Sequence, residues 1–377
     1  MSGPHIALIR QRYTRFGGAE RFVERALAGL EQQGARVTLI TRRWDADDHH
    51  EARICNPFHL GRLWRDRAFA ACACRAVRAG GFDLVQSHER LACCDIYRAG
   101  DGVHREWLRQ KARTLGPLGR LAQRLSPFHR HVLRAEQALF AGPRLKAVIC
   151  NSVMVRDEIL THFPIPAERL HIIPNGVDSQ TFSPQNTAPL RATARDNLGL
   201  KPDHILLAFI GSGYRRKGLD TVLDALARLP DRYRLLIVGK DRREPVYRRR
   251  CDQSGLGARC HYAGPQPDIL PYYAAADLFV QPTLYDPFPN VALEAMACAL
   301  PIVTSHKSGA ADLVRDGENG FVVDALDGPR LHRRLSELHD PELRRRLGAA
   351  ARAAVEPLTP EATAAALLDL YRRLLAD

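Results

Sequence analysis

No stretch of this chain approaches the ~20 consecutive apolar residues that a membrane-spanning helix needs, so no span is expected. The first residues, Met1 to Ile9, lack a basic leader, a long apolar stretch and a small-residue cleavage site, which argues against secretion and places the protein in the cytoplasm. Cysteine has no framework. Nine are present, an odd number, and Cys72/Cys74 and the adjacent Cys93/Cys94 fit neither a C-x-x-C metal knuckle nor a regular disulfide pattern. They are expected as reduced, mostly buried thiols. Internal repeats and low-complexity segments are missing too, and no RNP, KH or zinc-finger module is present.

What the sequence has in excess is positive charge: 55 Lys+Arg against 42 Asp+Glu leaves a net +13. Such a balance favours an anionic partner, which could be nucleic acid, anionic lipid or a phosphorylated substrate. With 45% hydrophobic and 26% charged residues over 377 positions the chain is ordinary globular material, long enough for about two domains.

The opening reads as a βαβ unit: strand 5–9, a loop with Gly17 and Gly18, a helix over 19–33 stopped by Gly34, and a strand at 37–40. Further strands are expected at 83–86, 94–97 and 147–150. The pattern ends in a turn near Pro174-Asn175-Gly176, and the polar stretch to about Lys201, with Pro184 and Pro189, reads as a linker. The alternation then restarts: strands at 205–210, 234–238, 260–263, 277–280 and 301–304, with helices at 219–228, 246–254, 267–275 and 291–298 between them. The expected architecture is therefore α/β, with two doubly wound parallel sheets facing a central cleft. Residues 1–180 form the first domain and 181–359 the second, and a last helix from Pro360 packs back across the junction.

Two loops carry charge suited to chemistry. Gly211-Ser212-Gly213-Tyr214-Arg215-Arg216-Lys217-Gly218 lies between a strand and a helix, where amides and three cations can meet a diphosphate. It is not a Walker A loop, because Gly218 follows the lysine, and it does not continue into G-x-G-x-x-G. The other loop, Pro282 to Asn290, is rigid with proline and leads into the helix Val291 to Cys298. Asn290 reads as the helix N-cap, Asp286 precedes the helix, and Glu294 lies one turn inside it. Two carboxylates flanking an anion site suit a sugar or ribose beside a phosphate.

The order of these loops resembles the retaining glycosyltransferases of family four, which have the GT-B fold. That family carries two glutamates with seven residues between them, a spacing met here by Asp286 and Glu294. Phe16-Gly17-Gly18-Ala19-Glu20, Ile173-Pro174-Asn175-Gly176-Val177-Asp178 and Lys217-Gly218-Leu219-Asp220 match further segments. The resemblance implies a nucleotide diphosphate sugar as donor, held by Gly17, Gly18, Ser212, Arg215, Arg216, Lys217, Asp286, Phe288, Pro289, Asn290, Val291 and Glu294. In that scheme Lys217 and Arg216 neutralise the leaving diphosphate, Glu294 holds the ribose, and Asp286 with the amides after it holds the sugar hydroxyls. There are two departures: Asp286 stands where the family usually has Glu, and Ser212 stands where it has Arg, so Arg215 or Arg216 must supply that cation.

No metal or other cofactor is expected, and Asp45-Ala46-Asp47 reads as an exposed acidic loop. On the acceptor side His88 and Asp101, each following a strand, are the candidate proton acceptors. From His104 to Arg134 the chain is basic and partly amphipathic, which reads as an element lying on an anionic membrane. The expected partners are thus a nucleotide sugar, a lipid-linked saccharide and the inner membrane surface, with the enzyme peripherally attached from the cytoplasm. The resemblance points to transfer of a hexose, glucose from UDP-glucose foremost, in lipopolysaccharide core assembly. Exopolysaccharide or glycolipid synthesis, a nucleotide-sugar epimerase of the same fold and a basic nucleic-acid-binding protein are the alternatives.

Overall fold

The structure, a computed structural model, describes residues 3–12, 29, 31, 34–43 and 51–376. Gly17, Gly18 and the Asp45–Asp47 segment lie outside the described residues, as does most of the expected 19–33 helix. The chain divides into two compact units, Met1–Gly176 with Pro360–Asp377, and Val177–Thr359.

The first unit is built on β1 (His5–Arg12), β2 (Arg36–Arg43), β3 (Glu51–Ile54), β4 (Leu84–Ser87), β5 (Ile96–Arg98), β6 (Ala147–Cys150) and β7 (Leu170–Ile172). Its helices are α1 (Gly61–Ala79), α2 (His104–Ala112), α3 (Pro117–Leu125), α4 (Pro127–Phe140) and α5 (Val153–His162). All pairings are parallel, in the order β3-β2-β1-β4-β5-β6-β7. A parallel sheet needs cover on both faces, and the alternation within β1 supplies it. Ala7 and Ile9 enter one apolar cluster with Phe69, Ala73 and Val77 of α1. Ile6 and Leu8 enter another, with Leu367, Leu370 and Tyr371 of the last helix, Pro360–Ala376. The C-terminal helix therefore belongs to the first unit's core.

The second unit repeats the scheme. It contains α6 (Pro184–Thr187), α7 (Arg191–Asn197), β8 (Ile205–Ile210), α8 (Tyr214–Lys217), α9 (Leu219–Leu226), β9 (Tyr233–Val238), α10 (Glu244–Gln253), β10 (Cys260–Gly264), α11 (Leu270–Ala275), β11 (Leu278–Val280), α12 (Asn290–Ala297), β12 (Ile302–Ser305), β13 (Gly320–Val323), α13 (Gly328–Glu337) and α14 (Pro341–Val355). The last helix of the first unit is α15 (Pro360–Ala376). The order β10-β9-β8-β11-β12-β13 is again parallel. In β8, Ile205, Leu207 and Phe209 face one core and Leu206, Ala208 and Ile210 the other. In each sheet the first strand of the unit lies between the second and the fourth. The crevice beyond the strands' carboxyl ends at that reversal is where open α/β sheets bind ligands.

Three expectations are corrected. The stretch 177–201 is not a linker: Val177, Ala194 and Leu200 are buried in the second unit's core, with α6 and α7 between them. Four cysteines are paired, Cys55 with Cys72 and Cys74 with Cys93. Spacing along the chain hid both pairs, because α1 brings Cys72 and Cys74 beside the ends of two different loops. Finally, α12 begins at Asn290 with Pro289 in the cap position and no side-chain cap, so Asn290 is in the first helical turn.

One of the tightest backbone contacts in the second unit is at Gly218. Its φ is +87°, and a Cβ there would lie 2.0 Å from the Pro282 carbonyl oxygen. Both the left-handed conformation and the contact require glycine. Gly218→Ala should cost about 2 kcal/mol or more and lower the melting temperature by roughly 6 °C, read by calorimetric unfolding; an unchanged melting curve would show that the loops around it are free to shift.

Candidate active site

At the reversal of the second sheet the loops after β8 and β11 are fastened to each other. Leu284 N donates to the Arg216 carbonyl at 2.8 Å, and the Thr283 hydroxyl donates to the same oxygen at 2.9 Å. The side chains then close the joint. Lys217 Nζ donates to Asp286 Oδ2 at 2.5 Å and to Gln281 Oε1 at 3.2 Å. Arg216 Nη1 donates to the same Asp286 oxygen at 3.0 Å and to the Tyr285 carbonyl at 3.1 Å. Lys217 is 6% exposed and Asp286 8%.

Burial by itself raises the Asp286 carboxyl, but the charges of Lys217 and Arg216 and their hydrogen bonds outweigh it, and the group is held below its ordinary value. Burial pulls the Lys217 ammonium down, against the opposing pull of Asp286. The two groups form a buried ion pair. Gln281 is held in turn by donating from Nε2 to the Ile210 carbonyl at 2.6 Å. Asp286 is pinned through its backbone, its N–H donating to the Lys307 carbonyl at 2.9 Å and its carbonyl accepting from Gly309 N at 2.8 Å.

The basic loop has a rigid base. Tyr214 is fully buried, its N–H donates to Asp241 Oδ2 at 2.7 Å, and its hydroxyl lies 3.1 Å from the Gly239 carbonyl and 3.2 Å from Glu244 Oε2. Ser212 and Arg215 are exposed, and the Ser212 hydroxyl accepts from Lys240 N at 3.3 Å. Past Asp286, Phe288 packs into the apolar core with Leu293 and Met296. Pro289 is buried, while Asn290 and Val291 are half-buried in the first turn of α12. Phe288 can therefore meet a ligand only through its backbone. Glu294, on the same helix, is half-buried, and its Oε2 accepts from the hydroxyl of Tyr273, itself 1% exposed, at 2.9 Å. Tyr273, Gln281 and Tyr214 were not singled out from the sequence. Only Gln281 left a signal there, as the lone polar residue closing the apolar run Leu278-Phe279-Val280.

In the first unit, His88 and Asp101 differ in situation. Burial and the charges of Arg98 and Arg10 hold the His88 imidazole well below its ordinary value, so it is neutral. Its Nδ1 is 3.0 Å from Arg10 Nη1 and its Nε2 3.2 Å from the Gln86 side-chain amide, which in turn takes the Tyr371 hydroxyl at 2.7 Å. Arginine only donates, so Nδ1 accepts, and a proton-accepting His88 would first have to give up Arg10. Asp101 is 80% exposed, 3.7 Å from Arg90 Nη1. Beside them Glu89, adjacent to His88 in sequence but not a candidate there, takes the Gln11 backbone N–H at 3.0 Å, and burial raises its carboxyl above the ordinary value. Among the described residues no group of three His, Cys, Asp or Glu side chains is arranged to hold a metal ion.

The profile of glycosyl transferases group 1 matches residues 191–354, and that of glycosyltransferase family 4 matches residues 16–181. A D-inositol 3-phosphate glycosyltransferase of Xylanimonas cellulosilytica is 32% identical over 393 residues, covering 94% of this chain and 91% of that one. The chain belongs to glycosyltransferase family 4. This glycosyltransferase is also 26% identical over 326 residues to the lipopolysaccharide glucosyltransferase WaaG of Escherichia coli, covering 84% of each. Its fold superposes on the crystal structure of WaaG with a TM-score of 0.80 at 24% identity, covering 95% of this chain and 98% of the other. HepE of Anabaena in complex with UDP-glucose gives 0.69 at 22% identity, covering 98% and 99%. The two parallel units of the glycosyltransferase are the GT-B fold.

Breaking a buried pair by neutralising one member strands the other charge. Asp286→Asn should lower unfolding stability by about 3 kcal/mol, and Lys217→Met with Asp286→Asn should recover most of it, both read by urea denaturation. Because Asp286 titrates below its ordinary value of 3.8, its contribution is complete above that value and is lost as the pH falls through the lower folded one. The gap between wild type and Asp286→Asn should therefore shrink in acid.

Proposed function

We propose that this enzyme transfers a hexose, with retention, from a nucleotide diphosphate sugar to a lipid-linked saccharide. Glucose from UDP-glucose is the foremost donor and lipopolysaccharide core the foremost product. The reading rests on one observation above the others: two cations, Lys217 and Arg216, converge on one carboxylate oxygen at the switch point of the second sheet. A donor diphosphate arriving there meets both cations and the positive end of α12, and the charge that develops as it leaves is stabilised without reorganisation. Asp286, fixed from both sides, accepts from sugar hydroxyls, and Glu294, oriented by Tyr273, accepts from the ribose. Ser212, Arg215 and the α12 first turn at Asn290 and Val291 line the rest of the donor site, and Gly17 and Gly18 are assigned to the donor from the family resemblance of their sequence segment. No metal is required for this electrostatic role.

On the acceptor side Asp101, exposed at the end of β5, takes the acceptor proton, and His88 holds Arg10 and Gln86 in place. The names of WaaG and of the UDP-glucose complex of HepE support the glucosyl donor, and that of WaaG the lipopolysaccharide acceptor. The relatives named D-inositol 3-phosphate glycosyltransferases support a phosphorylated polyol as the second acceptor class. The basic segment from His104 to Arg134 supports attachment to the inner face of an anionic membrane. No helix among the described residues is long and apolar enough to cross it.

Calorimetric titration of the protein in EDTA against UDP-, GDP- and ADP-hexoses tests the donor site. One nucleotide class should bind, Glu294→Ala should abolish measurable binding, and Tyr273→Phe should weaken it about fivefold, the value of one hydrogen bond. If no nucleotide sugar binds at millimolar concentration, or if Glu294→Ala binds normally with an unchanged melting curve, the donor assignment is wrong. Product analysis without acceptor distinguishes transfer from epimerisation.

A further inference from the structure

Helix α3 has no buried residue. Leu118, Leu121 and Leu125 fall on one stripe, at i, i+3 and i+7, and are 84%, 54% and 52% exposed. Arg120 and Arg124 occupy the opposite side and are exposed. A second apolar projection stands at the start of α1: Phe58 is 75% exposed, Leu60 70% and Trp64 47%, and the Phe58 and Trp64 rings pack edge to face at 5.5 Å. Sequence does not connect the two, but the structure does. The Arg62 guanidinium lies over the Phe128 ring at 3.6 Å, and Phe128 stands only three residues beyond Leu125, at most ~11 Å along the chain. The turn that carries Phe58 is held from behind by the Cys55–Cys72 disulfide.

Charge selects the occupant. There is no Asp or Glu from Ala52 to Arg65 or from Trp107 to Ala135, while Arg62, Arg109, Lys111, Arg113, Arg120, Arg124, Arg130 and Arg134 fall within these runs. Aliphatic and aromatic side chains project from two runs whose only charged residues are basic. An anionic bilayer meets both demands, hydrocarbon for the leucines and phenylalanine, headgroup phosphates for the arginines, with tryptophan at the boundary.

We propose that α3 and the Phe58–Trp64 turn form a single two-part insertion surface for an anionic lipid bilayer, locked together by the Arg62–Phe128 stack. The proposal rests on the membrane reading above and adds a second contact point to it. One helix lying on a membrane leaves the protein free to roll about the helix axis; two separated insertions fix a plane. Because α2 starts at His104, three residues beyond Asp101 in the loop that follows β5, that plane sets how the acceptor side of the first unit is presented to a lipid-borne substrate.

The test uses the full chain and vesicles of phosphatidylcholine with about one third phosphatidylglycerol, beside vesicles of phosphatidylcholine alone. Wild type should co-sediment with the anionic vesicles and lose that binding at high salt. Phe58→Ser with Leu60→Ser, and separately Leu118→Ser with Leu121→Ser, should each weaken binding about tenfold or more while leaving the melting curve and nucleotide-sugar affinity unchanged. In a chain whose only tryptophan is Trp64, made by Trp44→Phe and Trp107→Phe, brominated acyl chains should quench the fluorescence. If only the α3 pair weakens binding and Trp64 stays unquenched, the two-part surface is wrong and the membrane reading stands. If wild type ignores anionic vesicles at low salt, both fall, and the donor titration still decides the enzymatic reading separately.

Discussion

The second unit depends on one buried ion pair, Lys217 with Asp286. Taking an ammonium and a carboxylate out of water costs several kcal/mol each, and their mutual attraction offsets that only in good geometry. The surrounding loops supply the geometry: Gln281 takes a second hydrogen of the ammonium, Arg216 doubles the positive charge on the carboxylate, and backbone hydrogen bonds hold Asp286 from both sides. Gly218 is the backbone counterpart, since the chain must turn left-handed against Pro282 for Lys217 to point inward. The loops after β8 and β11 are thus one mechanical object, although 64 residues separate Lys217 from Gln281. An anion at this end of the sheet need not recruit cations from mobile side chains. It competes with Asp286 for cations already in place, which is what preorganised stabilisation of a leaving group requires.

The two units share a topology and differ in what they place at the equivalent ends. In the second unit the carboxyl ends present cations and amides. In the first they present a neutral histidine bound to arginine, a half-buried carboxyl raised by its surroundings, and an exposed aspartate. One set suits a phosphate and the other suits hydroxyls and the movement of a proton. The difference follows from loop composition, because the sheets that carry the loops are nearly interchangeable in strand order.

Much of this was legible in the residues. Apolar runs such as Ile205–Ile210 and Ala147–Cys150 mark strands covered on both faces, and both stand in the structure at those bounds. The seven-residue interval between Asp286 and Glu294 drew attention to a loop and helix whose two acids the structure ties to Lys217 and to Tyr273. Other features were hidden for definable reasons. Val177, Ala194 and Leu200 are too widely spaced among polar residues to reveal that they reach a core. The pairing of Cys55 with Cys72 and of Cys74 with Cys93 depends on which loops flank α1, and that is a property of tertiary placement. Tyr273 could not be told from any other core tyrosine until its hydroxyl was seen at Glu294. Asp286 was expected beside Lys217 in purpose, yet no spacing rule could show that the two bond directly.

The net charge of +13 also acquires a location. Some of the arginines are structural: Arg259 donates to the carbonyls of Tyr233, Leu226, Leu229 and Pro230, and Arg191 and Arg195 close on Asp277. The surplus gathers where carboxylates are missing, along the two runs that bear the exposed Phe58, Trp64 and α3 leucines. That company argues against nucleic acid as the partner. A single-stranded chain of bases is held by interleaved aromatic faces within a cationic groove, whereas α3 offers leucines, which give a base no π surface to stack on. A stripe of leucines backed by arginines has its lowest free energy where hydrocarbon and phosphate meet within one side-chain length, and the interface of an anionic bilayer has that structure.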